Sequence, residues 1–341
     1  MDRTKVLFYV GYDSHIPHFS PLYSALKNDP RFRASMMRSA EYNYPVAHFL
    51  QFAAARLGLR DDVFFNPDVT FIADPTHRPI PHPEILININ HGVGSKGASY
   101  VANPKYLSLL EELDFIFSPS EYFSSRIRGY LKRPKVITTG MPKLDRMFRG
   151  EYDREKELKR LGLNASKVIL FAPTYNLELS AITVLHDSVL KLANEDTALI
   201  VKFHCKVDPS QKALYEKKMP NVKIIPLNEP DITPYMAISD IMVSDYSSAW
   251  LEFMAQDKPV VLVKNPAALS LKRFPGQMEF ECRDAGIEVQ DLDGLKEAVE
   301  FSLSDPSARS NIRRKYRDML FDFRGTSTDR CIDELGKIIK K

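Results

Sequence analysis

Short apolar runs recur along the first part of the chain, and each ends in small or polar residues. One run covers residues 5–11, and comparable runs begin at Val69 and Ile85. Continuous apolar runs of this length are typical of strands in a parallel sheet, which is buried on both faces. Residues 19–27 and 47–57 instead have the apolar spacing of helices. The pattern therefore predicts alternating strands and helices.

A second series of apolar runs follows the charged segment 151–160. That segment carries few apolar residues, which is typical of a linker or a solvated helix. Helical stretches are predicted at residues 181–192 and 248–255, and residues 312–340 are predicted to be rich in helix. The runs of this series begin at Lys167, Thr197, Val222, Ile241 and Lys258.

Two consecutive α/β halves predict two Rossmann-like domains that face a cleft. The chain length of 341 residues agrees with two domains, at about 150 residues each. We expect an N-terminal domain at residues 1–150 and a C-terminal domain at residues 151–319. A C-terminal helix at about residues 320–341 is expected to pack back on the first domain.

Charge and cysteine content exclude several classes of protein. The net charge of +3 argues against a dedicated nucleic-acid binder, which usually presents a strongly basic face. Three cysteines are too few for a disulfide framework or a zinc knuckle. The N-terminal residues do not resemble a signal peptide, and no apolar run reaches the ~20 residues of a membrane span. We therefore expect a cytoplasmic protein.

The segment His91-Gly-Val-Gly-Ser-Lys96 directly follows a predicted strand. His91 stands where a general base would lie, Gly92 and Gly94 let the backbone approach a ligand, and Lys96 supplies a positive charge. The spacing is not that of a Walker loop. The alternative is a glycine-rich turn with a structural histidine. The candidate binding residues of the N-terminal domain are His15, Gly92, Gly94, Ser95 and Lys96.

A second candidate site follows the strand that begins at Ile241. Ser247 and Ser248 open a predicted helix there, and the N-terminus of a helix binds phosphate well. Helix capping alone would explain one such serine. Thr174, in an Ala-Pro-Thr turn at another strand end, offers a further hydroxyl.

The segment Lys202-Phe-His-Cys-Lys206 alternates cationic and apolar residues. On an extended strand Lys202, His204 and Lys206 would point to one side and suit a diphosphate. The alternative is an exposed strand face with solvated lysines.

Taken together, these motifs resemble the CDP-glycerol glycerophosphotransferase family of teichoic-acid synthesis. The resemblance covers roughly residues 85–335, in one order along the chain. The motifs are HG-x-x-x-K, SPSEY, G-x-P-x-LD, APT, a histidine-containing strand, SDIMVSDYSS, DKPVV and FRGTST-x-R. Two departures stand out: Lys202 and Cys205 occupy positions where the family often has arginine and proline.

The resemblance implies a glycosyltransferase-B fold and a definite reaction. Glycerol phosphate, or a related polyol phosphate, would pass from a CDP-activated donor to a hydroxyl of a cell-surface polymer or lipid-linked saccharide, releasing CMP. By resemblance His91 is the base and His204 contacts phosphate. The resemblance also implies that residues 1–150 form the acceptor side, with His15, Gly92, Gly94, Ser95 and Lys96, and that residues 151–319 bind the nucleotide donor. The residues matched to donor and phosphate binding are Thr174, Lys202, Asp245, Tyr246, Ser247, Ser248, Arg324, Gly325, Thr326 and Ser327.

Three alternatives remain open from the residues. They are a nucleotide-sugar glycosyltransferase, a non-hydrolysing UDP-N-acetylglucosamine 2-epimerase, and a non-catalytic module that binds a surface polymer. No ligand spacing for a metal is visible, so we expect neither a metal nor a cofactor. We also expect weak peripheral contact with the inner face of the membrane. The residues assigned to it are Arg31, Phe32, Arg33, Met36, Met37, Tyr42, Tyr44 and Phe49.

Overall fold

The computed structural model describes residues 3–38, 53, 57, 67–75, 84–94, 102–271 and 276–340. These residues form two compact units. The first contains the described residues up to His91, then residues 102–145 and 320–340. The second contains residues 92–94 and the described part of 146–319. The chain passes from the first unit to the second between His91 and Gly92.

A parallel sheet of six strands forms the centre of the first unit, in the order β2-β1-β3-β4-β5-β6. Its central strands are almost continuous apolar runs, as expected for a sheet covered on both faces, whereas the two edge strands include exposed residues. Their bounds are β1 Thr4–Val10, β2 Phe32–Arg38, β3 Val69–Ile72, β4 Ile85–Asn88, β5 Phe115–Ser118 and β6 Lys135–Thr138.

Helices cover this sheet, and aromatic side chains fill the space between. Phe8 of β1 stacks on Phe71 of β3, with ring centroids 5.1 Å apart. Cys331 and Leu335 of the C-terminal helix belong to the same core. That core also includes residues of the helix after β1, so the C-terminal helix packs on the first unit. The helices of this unit are Ile16–Asn28, Pro104–Leu110, Glu121–Arg128 and the C-terminal helix Ser327–Ile338.

The second unit repeats the architecture with a six-stranded parallel sheet in the order β12-β11-β10-β7-β8-β9. The strands are β7 Lys167–Phe171, β8 Thr197–Val201, β9 Val222–Ile224, β10 Ile241–Ser244, β11 Val260–Val263 and β12 Ile287–Val289. The helices here are Arg154–Leu161, Ile182–Leu185, Pro209–Ala213, Thr233–Ile238, Ala249–Met254, Met278–Glu281, Leu292–Ser304 and Ser310–Leu320. The short helix Asp145–Phe148 lies at the boundary of the units.

The charged segment before β7 is a helix rather than an irregular linker. Asp153 caps it by accepting a hydrogen bond from the Lys156 backbone N–H at 3.0 Å. Gly162 ends the helix in the left-handed conformation with φ of 69°, which glycine adopts without strain.

Two predicted helices have a different outcome. Residues 181–192 do not form one helix, because the chain breaks at His186, where φ is 48°. A four-residue α-helix precedes the break, and the 3-10 helix His186–Leu192 follows it. The predicted helix at residues 47–57 lies outside the described residues, except for Ala53 and Leu57.

The predicted membrane contact is wrong at Phe32 and Met37. Each side chain is 1% exposed, and both lie in the core of the first unit. Tyr42, Tyr44 and Phe49 lie outside the described residues. Among the described residues, no helix is long and apolar enough to cross a membrane.

Candidate functional site

Three loops at one edge of the first sheet bring together two histidines and an aspartate. His15 follows β1, Asp74 follows β3 and His91 follows β4. These strands are neighbours in the sheet, so their carboxyl ends meet at the same edge. The His15 and His91 ring centroids are 4.9 Å apart.

The Asp74 carboxylate lies between the two imidazoles. Asp74 Oδ1 is 2.5 Å from His91 Nδ1, and Asp74 Oδ2 is 3.5 Å from His15 Nε2. The Ala73 carbonyl oxygen is also 3.1 Å from His91 Nδ1. The side chains of His15, His91 and Asp74 are 4%, 16% and 25% exposed, so solvent reaches part of the cluster.

The same three side chains are the group of described residues that could hold a metal ion. One ligand atom from each lies within 4.8 Å of the others. Sequence spacing did not indicate this group, because its members come from separate loops. Asp74 was not identified from the sequence. Its position just after an apolar strand is a weak signal for a site residue.

Local backbone geometry sets the direction of the loop that carries His91. Asn90 has φ of 60°, a conformation that asparagine tolerates better than most residues. Its backbone N–H donates to Asn88 Oδ1 at 2.7 Å, and its side-chain Nδ2 donates to the Phe117 carbonyl at 3.2 Å. The loop is therefore tied to β4 and β5 immediately before His91.

Gly94 is required by close packing within the second unit. A Cβ atom there would lie 2.8 Å from Ser248 Cβ and 2.8 Å from Glu279 Oε2. At Gly94, therefore, protein atoms rather than a ligand make the close approach that the sequence predicted. Ser95 and Lys96 lie outside the described residues.

Asp245, which follows β10, organises a neighbouring loop of the second unit. Its carboxylate accepts hydrogen bonds from the backbone N–H groups of Thr174, Ala181 and Ser247, the shortest being 2.7 Å from Ala181. The side chain is fully buried. Burial raises the pKa of Asp245 to about 7, although the three N–H donors and the Arg283 charge act in the opposite direction.

The residues after Asp245 form a compact turn. Tyr246 is buried, and the Arg283 guanidinium lies 4.2 Å from the centre of its ring. Ser247 Oγ accepts a hydrogen bond from the Ala249 N–H at 3.3 Å. Ser247 and Ser248 are both partly exposed. The helix that follows, Ala249–Met254, has only six residues, so its dipole is smaller than the sequence suggested.

Lys202, His204 and Lys206 do not lie on a strand, so the prediction of one shared strand face is wrong. Strand β8 ends at Val201, residues 202–204 are irregular, and the chain turns at Cys205 and Lys206. Lys202 is buried, and its Nζ donates to the Phe203 carbonyl at 3.0 Å.

His204 and Lys206 gather around an exposed aromatic ring instead. The His204 and Tyr175 ring centroids are 4.6 Å apart, and Lys206 Nζ is 5.6 Å from the centre of the Tyr175 ring. The Lys206 backbone N–H donates to His204 Nδ1 at 3.1 Å. Because Nδ1 accepts a hydrogen bond, the neutral imidazole carries its proton on Nε2, where it can donate to a ligand.

The C-terminal motif at Arg324, Gly325, Thr326 and Ser327 lies in the first unit. Ser327 Oγ donates to the Phe323 carbonyl and accepts a hydrogen bond from the Met141 N–H at 2.9 Å. Asp145 accepts hydrogen bonds from the Ser327 and Thr328 N–H groups, which begin the C-terminal helix.

These contacts join two of the sequence motifs, because Asp145 and Met141 belong to G-x-P-x-LD. The Arg324 Nη1 donates to the Phe321 carbonyl at 3.1 Å, a further contact within the same turn. The binding of donor by the C-terminal motif stays a prediction.

Comparison with known proteins finds relatives among curated sequences and neighbours among solved structures. The chain is 25% identical over 259 residues to the teichoic acid poly(glycerol phosphate) polymerase of Bacillus spizizenii. The alignment covers 72% of this chain and 64% of that polymerase, so less than two thirds of the relative is matched.

The fold of the chain is similar to that of the wall teichoic acid polymerase TagF, with a TM-score of 0.71 and 18% identity. That match covers 99% of this chain and 89% of the other. The UDP-GlcNAc 2-epimerase from Neisseria meningitidis, bound to UDP-GlcNAc, has a TM-score of 0.63 and 15% identity, over 98% and 100% of the chains. The predicted α/β fold with two parallel-sheet domains of the glycosyltransferase-B type is therefore confirmed.

The polymerase and the epimerase both match the fold, so the fold does not decide between their families. A family model does. The model for CDP-glycerol:poly(glycerophosphate) glycerophosphotransferases matches residues 83–268, more than half of the chain. The matched range contains His91, His204 and the turn at Asp245. The chain belongs to the CDP-glycerol:poly(glycerophosphate) glycerophosphotransferase family.

Proposed function

We propose that this protein transfers glycerol phosphate, or a related polyol phosphate, from a CDP-activated donor to an acceptor hydroxyl and releases CMP. The family match over residues 83–268 carries the proposal. The polymerase of Bacillus spizizenii supports it, because its name describes a polymer of the same phosphate.

In this reaction the acceptor oxygen attacks the distal phosphorus of the donor. A new P–O bond forms to the acceptor, the P–O bond to CMP breaks, and the acceptor proton must leave. His91 takes that proton, because it is partly exposed and lies at the carboxyl edge of the first sheet.

Loops of the second unit bind the donor phosphates in this proposal. His204 Nδ1 accepts a hydrogen bond from the Lys206 backbone N–H, so the proton of the neutral ring lies on Nε2, and Lys206 carries an exposed charge nearby. Ser247 and Ser248 add hydroxyls. Asp245 acts here as a positioning residue, since its carboxylate accepts hydrogen bonds from three backbone N–H groups.

A sugar transferase and an epimerase are less well supported. The likeness to an epimerase concerns the fold alone, at 15% identity. A binding module without chemistry would not need a paired histidine and carboxylate such as His91 and Asp74.

A panel of donors tests the proposed function. The purified chain is incubated with CDP-glycerol, CDP-ribitol, UDP-glucose and UDP-N-acetylglucosamine, with and without a synthetic lipid-linked saccharide. We expect release of CMP from a CDP-polyol that depends on the acceptor. Conversion of UDP-N-acetylglucosamine to its epimer, or transfer only from a UDP-sugar, would reject the proposal.

We further propose a cytoplasmic protein that meets a lipid-linked acceptor at the membrane surface. Arg33 on β2 is exposed and retains the charge that such a contact needs. Basic residues near anionic lipid contribute about 1 kcal/mol each, so the association should be weak and sensitive to salt. Sedimentation with anionic and neutral vesicles at low and high salt measures it. Absence of sedimentation with anionic vesicles at low salt would contradict the proposed membrane contact.

Turnover should not require a divalent metal, because cationic and hydrogen-bonding side chains can offset the charge of the phosphates. We expect the same rate after chelation by EDTA and dialysis. A loss of rate that magnesium or manganese specifically restores would assign the charge-neutralising role to an ion.

A further inference from the structure

We propose that Asp74 and His15 are positioning residues that hold the His91 imidazole in one tautomer, with the proton on Nδ1 and the lone pair on Nε2. The consequence for catalysis rests on the proposed function, whereas the tautomer itself follows from geometry. Asp74 lies outside residues 83–268, the range that the family model matches.

Both described neighbours of His91 Nδ1 are hydrogen-bond acceptors. Asp74 Oδ1 is 2.5 Å away, and the Ala73 carbonyl oxygen is 3.1 Å away. A carbonyl oxygen cannot donate, and an ionised carboxylate is an acceptor only. The Nδ1 atom must therefore carry a proton. In the neutral ring this leaves Nε2 as the atom that can take a proton from an acceptor hydroxyl.

His15 restrains the carboxylate from the other side. Its Nε2 is 3.5 Å from Asp74 Oδ2, while Asp74 Oδ1 faces His91. His15 is 4% exposed and belongs to the 3-10 turn Asp13–His15, whose last N–H donates to the Tyr12 carbonyl at 2.8 Å. Rotation of the Asp74 carboxylate would break both contacts. The three residues follow neighbouring strands, so the sheet fixes their spacing.

Metal binding by the same three residues would require a different protonation state. A metal on His91 Nδ1 would have to replace the proton there and would leave the Ala73 carbonyl without its donor. The two arrangements are therefore mutually exclusive at Nδ1, and the test can separate them.

The direct test is the ¹⁵N NMR spectrum of the full chain with labelled histidine, recorded at a pH at which the histidine rings are neutral. The His91 signals are identified by their loss in His91→Gln. We expect wild-type His91 to have the proton on Nδ1. In Asp74→Asn the side-chain amide can donate to Nδ1, so the proton should shift toward Nε2. The matched control is Asp13→Asn, whose carboxylate pairs with Arg38 at 3.1 Å on the exposed surface.

Kinetics provide the second measurement. Asp74→Asn should lower kcat by about 10²-fold or more with little change in KM, because the base is held in the wrong tautomer. His15→Phe keeps an aromatic side chain at this position but removes the Nε2 contact, and should lower kcat by about 10-fold. Asp13→Asn should behave like the wild type. Thermal unfolding of each variant checks that the fold is retained.

Each outcome has a definite meaning. A wild-type His91 with its proton on Nε2, or an unchanged tautomer in Asp74→Asn, would overturn the inference whatever the activity. Stoichiometric zinc in the dialysed wild type, lost in Asp74→Asn, would also overturn it in favour of a metal site. Absence of CMP release from every donor, with the expected tautomer present, would reject the proposed function and leave the inference standing.

Discussion

Replacement of His91 by alanine should lower kcat by about 10²–10⁴-fold, the usual contribution of a general base. The affinity for the donor should change little, because the proposed donor contacts belong to loops of the second unit. Steady-state kinetics and equilibrium binding of CDP-glycerol measure the two quantities separately. His186→Asn is the matched control, since His186 is exposed and asparagine tolerates its φ of 48°.

A rate above about a tenth of the wild-type value in His91→Ala would contradict the role of base, since it falls outside that range. A large loss of donor affinity with unchanged kcat would also contradict it, because the side chain would then serve binding rather than proton transfer.

Asp245→Ala should destabilise the second unit by about 3 kcal/mol or more. The substitution leaves the N–H groups of Thr174, Ala181 and Ser247 without their acceptor. A buried N–H without a partner costs about 1–3 kcal/mol. Urea unfolding, followed by circular dichroism, gives the change in the free energy of unfolding.

Asp208→Ala is the matched control for this prediction. Asp208 also accepts a hydrogen bond from a backbone N–H, that of Ser210 at 2.8 Å, but it is exposed at the start of a helix. We expect a loss of about 1 kcal/mol there. Equal effects of the two substitutions would show that the Asp245 carboxylate does not organise the loop.

The strands were predictable because each lies in a parallel sheet whose two faces are covered. An uninterrupted apolar run such as Val168–Phe171 then identifies a strand without further information. Strand β12 was missed, because its three residues include the partly exposed Ile287 and the exposed Glu288. The order of strands in each sheet depends on contacts between distant segments, which the local pattern does not contain.

The candidate site was predictable where one loop carries the chemistry, as at His91. It was not predictable where the chemistry depends on separate loops. Asp74 lies within 4 Å of His15 and His91 only because β1, β3 and β4 are neighbours. The alternation from Lys202 to Lys206 has the pattern of a strand, yet the strand ends at Val201 and the cationic residues lie in the irregular segment and turn that follow.

The central claim is transfer of a polyol phosphate by attack at phosphorus, and the most direct test is the stoichiometry of one reaction. CDP-glycerol and a synthetic lipid-linked saccharide are incubated with the chain, and mass spectrometry quantifies the nucleotide and the modified acceptor together. We predict one CMP for each glycerol phosphate added to the acceptor. Release of CDP, or of CMP without a modified acceptor, would contradict the claim.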